Sequence, residues 1–458
     1  MPEFPEVHVV IEKLKVKVLA KTIESVEIFR KQTIEGDPLE FANRLKGATI
    51  RDIEQVGKFL VFHLSNKNVM ISHLRMEGKY FFKEEDASYG KHDLVVFHFS
   101  DNTKLIYNDT RRFGRMSVES KSNYMDVPPL NNVGPDPFKM KDASLLEKAY
   151  KNKTIPIKTA LLDQSIMSGL GNIYTDEVLF MSRVHPETPA KLVSRQKLEE
   201  ILIISRDVLK EAMLAGGSTI HSFSSDGIAG DFQVNLQVYG KKDDTCPNCG
   251  TKFRKIFVNG RGTTYCPKCQ KNPVIPVVFG VTGPIGAGKS VVSNLLVQHG
   301  FKHLDCDEIV HNLYKTKEIQ NGLKKIIPEL KITNNDVDRK WLKSYLIENP
   351  KKKKQLEKFI HKEVVSYIEK ELKKAKQPIV IEAAFLFESG LDLLCDKTIY
   401  VSSNKQIEHL KSRGDDVEKA LKLNANFDKE NIKKATHVII NDKDVANLEK
   451  QVSAICGK

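Results

Sequence analysis

The chain has 458 residues, 40% hydrophobic and 29% charged, with a formal net charge of +13. Its length exceeds one ordinary core, so two or three domains are expected, and the basic balance suits a polyanionic partner, although a Lys-rich bias of this kind also follows from genome composition. No apolar run reaches the ~18 residues of a membrane span, and Met1 leads into acids and prolines rather than a signal peptide, which predicts a cytoplasmic protein with no membrane partner.

The chain opens Met1-Pro2-Glu3-Phe4-Pro5-Glu6-Val7. Trimming of Met1 before so small a residue leaves a secondary amine on Pro2. An α-amine has a pKa near ~8, against about 10.4 for Lys, so part of it is an uncharged nucleophile at neutral pH. Its attack on a sugar C1′ gives an iminium, an electron sink that eases strand cleavage by elimination. Pro5 and Glu6 begin a helical turn, with Val7, Val10, Ile11, Leu14 and Val18 at helical spacing behind them. The positive end of that helix favours the neutral amine. The plain alternative is a frayed terminus in which Pro2 only governs Met removal.

Strand-like runs at 22–29, 48–56, 59–64, 69–73, 80–82, 94–99 and 104–108 follow at hairpin spacing and predict an antiparallel sandwich. Three patches there are polar where a core strand should not be. Gly57-Lys58 starts a strand and aims an ammonium at its end, and His73-Leu74-Arg75-Met76-Glu77-Gly78 is a charged turn with an apolar tip. The third, Asn108 to Gly114, sets Arg111 two residues from Phe113 on a loop. Such a pair can wedge between base steps and fill the gap left by an extruded base, while the ordinary role of Met76 and Phe113 would be in the core.

From Asp142 to Met213 the pattern turns helical, with 152–162 leading into Gly169-Leu170-Gly171-Asn172, where a helix start offers amide donors to a phosphate or an ordinary helical hairpin turns. The Gly/Ser-rich segment 215–227 reads as a mobile loop that closes over a ligand. Cys246-Pro-Asn-Cys249, sixteen residues, then Cys266-Pro-Lys-Cys269 build a tetrahedral four-cysteine zinc site on a hairpin, a redox dithiol being the alternative; Cys306, Cys395 and Cys456 read as buried or inert thiols. Asn259-Gly260 is a two-residue hairpin turn, so Arg261 sits at its tip, placed to grip a phosphate.

These residues, in this order, resemble the formamidopyrimidine-DNA glycosylases over essentially all of residues 1 to 270. The family opens Pro-Glu-Leu-Pro-Glu-Val-Glu, and this chain carries Phe4 for Leu and His8 for the last Glu. The resemblance implies that Pro2 is a Schiff-base nucleophile and Glu3 the acid that protonates the sugar ring oxygen. It makes Lys58 the lysine of elimination and phosphate contact, and Arg261 the arginine that holds the target phosphate. By the same resemblance Met76, Arg111 and Phe113 fill the void, His92, Lys153 and Asn172 bind the DNA backbone, and Glu77 and Thr219 recognise the lesion. The last two look like the branch that accepts oxidised purines, with His221 where Arg is usual.

After Gln270 to Pro276 a new start appears: an apolar strand from Val277, then Gly283-Pro-Ile-Gly286-Ala287-Gly288-Lys289-Ser290 and an amphipathic helix. That is the context of a phosphate loop, whose amides wrap the β-phosphate while Lys289 reaches the β and γ oxygens and Ser290 ligates Mg²⁺. Strands at 300–304, 379–382, 398–401 and 438–440 follow, two of them running into acids at their carboxyl ends, Asp305 to Asp307 and Glu382. A helical Lys-rich stretch from Lys315 to Lys376 is inserted, and its Lys351 to Lys354 run reads as a solvated face. This half is similar to dephospho-CoA kinase over 277 to about 455. The resemblance implies that Asp307 orients or deprotonates a ribose 3′-hydroxyl, with Gln406 and Arg413 kept. It departs from the family at Ala384, His409, Lys422 and Asn426. Neither His nor Lys reproduces an arginine fork, so turnover is expected to be reduced with binding intact.

The expected architecture is a multidomain chain: an N-terminal β-sandwich (1–125), a helix-two-turn-helix domain (126–235), a zinc-ribbon hairpin (236–270), and an α/β P-loop kinase with a doubly wound parallel sheet (277–458). The expected activities are a DNA glycosylase and abasic-site lyase of base excision repair, acting on oxidised purines such as 8-oxoguanine and formamidopyrimidines, and a dephospho-CoA kinase of the last step of CoA biosynthesis. The alternative for the second half is an ATP-binding regulatory module with weak catalysis. One structural Zn²⁺ and Mg²⁺ with ATP are the expected cofactors. Damaged duplex DNA, ATP and dephospho-CoA are the expected partners of a monomer.

Overall fold

The structure is a computed structural model that describes residues 2–217, 236–412, 417 and 429–457. Thr219 and His221, with most of the 215–227 loop, and Arg413, Lys422 and Asn426 lie outside the described residues. The chain divides into two compact units, Met1–Asn272 and Pro273–Lys458. Among the described residues no helix is long and apolar enough to cross a membrane.

In the first unit α1 (Phe4–Val18) begins where Pro5 and the reciprocal bonds of Glu3 and Glu6 set it. Its stripe of Val7, Val10, Ile11, Leu14 and Val18 is buried. Two four-stranded antiparallel sheets share that core. One has the order β1-β6-β7-β5, from β1 (Ile23–Ile28), β5 (Lys79–Glu84), β6 (Asp93–Phe99) and β7 (Thr103–Asn108). The other has the order β2-β3-β4-β8, from β2 (Ile50–Val56), β3 (Phe59–Leu64), β4 (Asn68–His73) and β8 (Arg115–Ser120). Leu60 and Phe62 face the shared core, whereas Val61 packs with Val69, Ile71 and Leu130 on the opposite side. Burial on both faces explains why β3 reads as a continuous apolar run. A short helix, α2 (Pro38–Leu45), capped by Asp37, and strand β8 were not expected from the sequence.

The helical part is built from α3 (Ser144–Tyr150), α4 (Ile157–Leu161), α5 (Asn172–Met181) and α6 (Arg195–Leu214) around Leu146, Ile157, Leu170, Tyr174, Val178 and Leu202. The helix expected over 152–162 is confined to α4, because the residue before Pro156 is pushed out of helical geometry. Phe4 is part of this second core, and its amide donates to Gly169 O at 3.1 Å, so the start of the chain is tied to the segment before α5. The hairpin of β9 (Arg254–Val258) and β10 (Arg261–Tyr265) turns through Asn259 (φ 48°) and Gly260 (φ 74°), as its two-residue turn predicts.

The second unit is a five-stranded sheet of order β12-β15-β11-β16-β17, parallel throughout. Its strands are β11 (Val278–Thr282), β12 (Lys302–Asp305), β15 (Ile379–Glu382), β16 (Lys397–Ser402) and β17 (His437–Ile440), with a small β13 (Ile332–Thr333) and β14 (Asp336–Val337) hairpin elsewhere. Helix α7 (Lys289–Gln298) and the helix Val445–Cys456 pack with Phe279, Val281 and Val380. On the other face α8 (Cys306–Leu313), α9 (Lys317–Ile326), α10 (Arg339–Glu348) and α11 (Pro350–Lys374) pack with Val278, Ile379 and Ile381. Alternate residues of β11 and β15 feed the two cores, the signature of a doubly wound sheet.

Candidate functional site

The first unit holds a cleft of about 850 Å³ lined by Glu3, Lys58, Met76, Phe113, Asn172 and Arg261, together with His73, Gln164, Gly171 and Tyr239. Chain ends, strand starts and loops far apart in sequence supply them. Pro2 is buried beside Glu3, still preceded by Met1, which lies outside the described residues. Pro2, Arg111, His92, Glu77 and Lys153 are not among the residues that line the cleft. Lys153 faces Asp163 at 3.4 Å, and Glu77 accepts from Thr110 Oγ1.

Glu3 is 2% exposed, and its carboxylate lies on the amino end of α5, accepting from the amides of Gly171 (2.7 Å), Ile173 (2.9 Å) and Tyr174 (3.4 Å). A Cβ at Gly171 would stand 2.3 Å from Glu3 Cδ, so only glycine lets the two segments meet. Burial raises the Glu3 carboxyl to about 7, against the pull of the Lys58 charge and the amides. Lys58 donates to Leu170 O at 2.7 Å, and burial holds its pKa below the usual range although Glu3 opposes the shift. Burial thus favours the neutral form of both groups, which suits acid and base work. His73 is neutral: burial and Arg75 lower it to about 3, and its Nδ1 accepts from the Arg75 amide.

The two wedge candidates stand outside the core, Met76 37% and Phe113 49% exposed, and the Arg111 guanidinium lies 5.0 Å from the Phe113 ring. Sequence reasoning missed what holds that loop. Buried Asp109 accepts from the amides of Arg111, Phe113 and Gly114, and its own amide donates to His92 O. It also missed Lys158 and Asp176, a fully buried ion pair at 2.6 Å. Lys158 donates on to Thr263 Oγ1 (2.7 Å), and Asp176 accepts from the Thr264 amide (3.1 Å). Asn172 Nδ2 donates to Gly262 O at 3.1 Å, so this side chain joins the same clamp on the hairpin that carries Arg261. The available signal was charge among the mostly apolar residues of two helices, Lys158 on α4 and Asp176 with Glu177 on α5.

Cys246, Cys249, Cys266 and Cys269 bring their sulfurs within 4.8 Å of one another, with Cys246–Cys269 at 3.9 Å and Cys249–Cys266 at 3.5 Å. A tetrahedral ion with bonds of about 2.3 Å has edges near ~3.8 Å, so the set fits zinc.

In the second unit Gly283 (φ 147°), Gly286 (φ 84°) and Gly288 (φ 97°) bend the phosphate loop. At Gly288 a Cβ would also strike Asn441 Nδ2 at 2.2 Å, the group that ties the loop through Ala287 O. Lys289 Nζ lies on Gly283 O (3.0 Å) and Pro284 O (3.2 Å), and Ser290 Oγ donates to Glu382 Oε1 (2.8 Å). This loop, with a hydroxyl and an acid at the amino end of α7, fits a nucleotide with Mg²⁺. Asp307 borders a cavity of about 420 Å³ with His311, Arg339, His361 and Phe385. Burial, then the Asp305 charge, raise the Asp307 carboxyl, while Lys289 opposes them. His409 Nδ1 lies 3.0 Å from Gly286 O, against the phosphate loop.

Residues 1–116 and 133–224 match the N-terminal and H2TH domains of formamidopyrimidine-DNA glycosylase, 243–272 the zinc finger found in FPG and IleRS, and 277–447 dephospho-CoA kinase. A formamidopyrimidine-DNA glycosylase of an Exiguobacterium species is 44% identical over 275 residues, 59% of this chain and 100% of that protein. The Bacillus subtilis one is 45% identical over 278 residues, 59% of this chain and 99% of its own. A Lactococcus lactis enzyme variant in complex with Fapy-dG containing DNA superposes with a TM-score of 0.57 at 35% identity, covering 59% of this chain and 100% of that one. MutM in complex with carbocyclic 8-oxo-G containing DNA gives 0.56 at 36% identity, with the same coverage.

Proposed function

The chain belongs to the formamidopyrimidine-DNA glycosylase family and carries a dephospho-CoA kinase domain in its C-terminal part, and from this premise we propose how its residues work. Damaged duplex DNA enters the cleft of the first unit. Once Met1 is removed, the Pro2 nitrogen attacks C1′ of an oxidised purine nucleotide. Glu3 in its neutral form protonates the ring oxygen, the base departs, and an iminium remains. Loss of a C2′ proton to Lys58 then expels the 3′ phosphate oxygen. Arg261 on its hairpin tip grips the target phosphate, and Met76, Arg111 and Phe113 occupy the space of the extruded base. His92, Lys153 and Asn172 act on the DNA backbone, and Glu77 and Thr219 set the preference for oxidised purines. The observation that carries this reading is the convergence of Glu3, Lys58, Asn172 and Arg261 on one cleft. Borohydride reduction during reaction with 8-oxoguanine duplex tests it: the covalent adduct is expected on Pro2, and an adduct on Lys58 refutes the assignment.

For the second unit the reading is ATP-dependent phosphorylation of the dephospho-CoA ribose 3′-hydroxyl. Gly283 to Ser290 would hold the nucleotide, and Mg²⁺, when bound, neutralises phosphate charge. Asp307 accepts the hydroxyl proton; its raised pKa and its place on the 420 Å³ cavity support that role. His409 on the phosphate loop, where the family has arginine, favours a slow enzyme over a fast one. Conversion of dephospho-CoA by the full chain with Mg-ATP tests it, and ATP binding without conversion would leave the regulatory module. The limits 1–125, 126–235, 236–270 and 277–458 belong to this proposal. So does a cytoplasmic location, which seven cysteines without a disulfide support.

A further inference from the structure

A second cavity of the first unit, about 410 Å³, lies beside the loop that carries Phe113 and collects cations that the glycosylase chemistry does not use. Its lining includes Arg30, Lys31, Lys91 and Arg112 against one carboxylate, Asp93. Both Asp93 oxygens are engaged elsewhere, accepting from the Gly90 amide and from Asn108 Nδ2 at 2.7 Å each. Lys31, Lys91 and Arg112 are exposed, and among the described residues none of the four cations has a carboxylate partner. Arg30 Nε is buried without a hydrogen-bond partner. An unpaired buried N–H on a cation is costly, and like charges around one hollow repel each other; an anion in the cavity relieves both.

The position of the cavity says which anion. Arg112 stands between Arg111 and Phe113 with φ 60°, a left-handed conformation that residues with a Cβ rarely adopt. In that turn Phe113 lines the glycosylase cleft while Arg112 borders the second cavity, so one loop faces both. The Asp109 amide on His92 O ties the loop to the segment that carries Lys91. Phe29, exposed and 5.1 Å from the Tyr89 ring, adds an apolar wall to the cations, the combination that tracks a nucleic-acid strand. Resting on the glycosylase reading, we propose that Arg30, Lys31, Lys91 and Arg112 bind a backbone phosphate of the DNA outside the cleft, a few nucleotides from the lesion. Anchoring the strand there gives the Phe113 wedge a fixed backbone to push against.

The test uses the full, zinc-loaded chain and a duplex with a reduced abasic site, in which one phosphate at a time is replaced by a neutral methylphosphonate. Wild type should lose about 10-fold in affinity at one phosphate that does not flank the abasic sugar. A chain with Lys31→Gln and Lys91→Gln should bind the unmodified duplex about 10-fold more weakly, lose nothing further at that phosphate, and show a salt slope smaller by about 1–2. Affinity and salt slope equal to wild type, with an unchanged melting curve, overturn the site. So does a wild-type scan in which only the phosphates flanking the abasic sugar matter, and that scan decides the matter even where the double variant does not fold. Inorganic pyrophosphate serves as the free anion: if the two lysines govern its binding and not that of the duplex, the proposal falls. A chain that shows the distant phosphate but traps no Pro2 adduct keeps the site and loses the glycosylase reading. One that traps the adduct and shows no such phosphate loses only the site.

Discussion

Replacing Glu3 with Gln should stabilise the first unit at alkaline pH while abolishing base release. The Glu3 carboxyl is raised from 4.5 to about 7 by burial, so between those values the folded chain holds a proton that the unfolded chain has lost. Stability from this group is therefore fully present below the unfolded pKa and is lost as pH rises through the folded one. Each pKa unit corresponds to about 1.4 kcal/mol. From pH 5.5 to pH 8.5 the wild type crosses roughly 1.5 units of that shift, a loss of about 2 kcal/mol that Gln, which does not titrate, avoids. Gly171 and Ile173 donate to different oxygens of Glu3, so Gln loses one of these bonds, a cost that is the same at both pH values and drops out of their comparison. Calorimetric melting of both proteins at the two pH values measures it, the relevant transition being the one that abasic-site duplex shifts. Relative to wild type, Glu3→Gln should gain about 2 kcal/mol, roughly 4–8 °C, on going to pH 8.5. A difference that is the same at both pH values would mean that Glu3 is ionised throughout, and the neutral-acid argument would fall.

Lys158→Met should destabilise the first unit by about 3–5 kcal/mol, because Asp176 is left buried and uncompensated; Asp176→Leu added to it should recover part of the loss in the same melting curves. Cys249→Ser should lose zinc and DNA binding with ATP binding unchanged, and Arg261→Ala should keep zinc, by metal analysis, yet lose incision. In the second unit Lys289→Ala should abolish ATP binding by calorimetry. Asp307→Asn should keep that binding and lower kcat by about 10²- to 10⁴-fold, the range for loss of a general base.

What the sequence made legible was whatever is written in neighbouring residues. The phosphate loop needs glycines at fixed offsets, the zinc ribbon needs two CxxC pairs, and α1 needs its apolar stripe, so each could be read from a short window. Helix α2 and strand β8 escaped: one is short, and the other follows directly on the polar Asp109 loop and begins with Arg115. The clamps of the cleft escaped for a different reason. Glu3 meets Gly171 from 168 positions away, and Lys158 meets Thr263 from 105, and no local pattern reports such meetings. The helix start at Asn172 read as a source of amide donors for a phosphate, and nothing nearby in sequence showed that its side-chain amide would donate to the hairpin at Gly262 O.

That difference has a mechanical consequence. The phosphate loop is shaped by its own backbone and held by side chains that bind its carbonyls, Asn441 on Ala287 O and Lys289 on Gly283 O and Pro284 O, so most of its geometry is set within a few residues. The glycosylase cleft has no such local frame. Its acid belongs to the first residues, its amides to the start of α5, and its arginine to a hairpin held by Lys158, Asp176 and Asn172. Each is brought into place only when burial of charges in the others succeeds. Those charges are uncomfortable where they are, as the raised Glu3 and Asp176 and the lowered Lys58 and Lys158 record. The same desolvation that makes the cleft costly to fold favours a protonated Glu3 and draws Lys58 toward its neutral amine, so under the proposed mechanism relieving the strain at either residue should remove the chemistry with it.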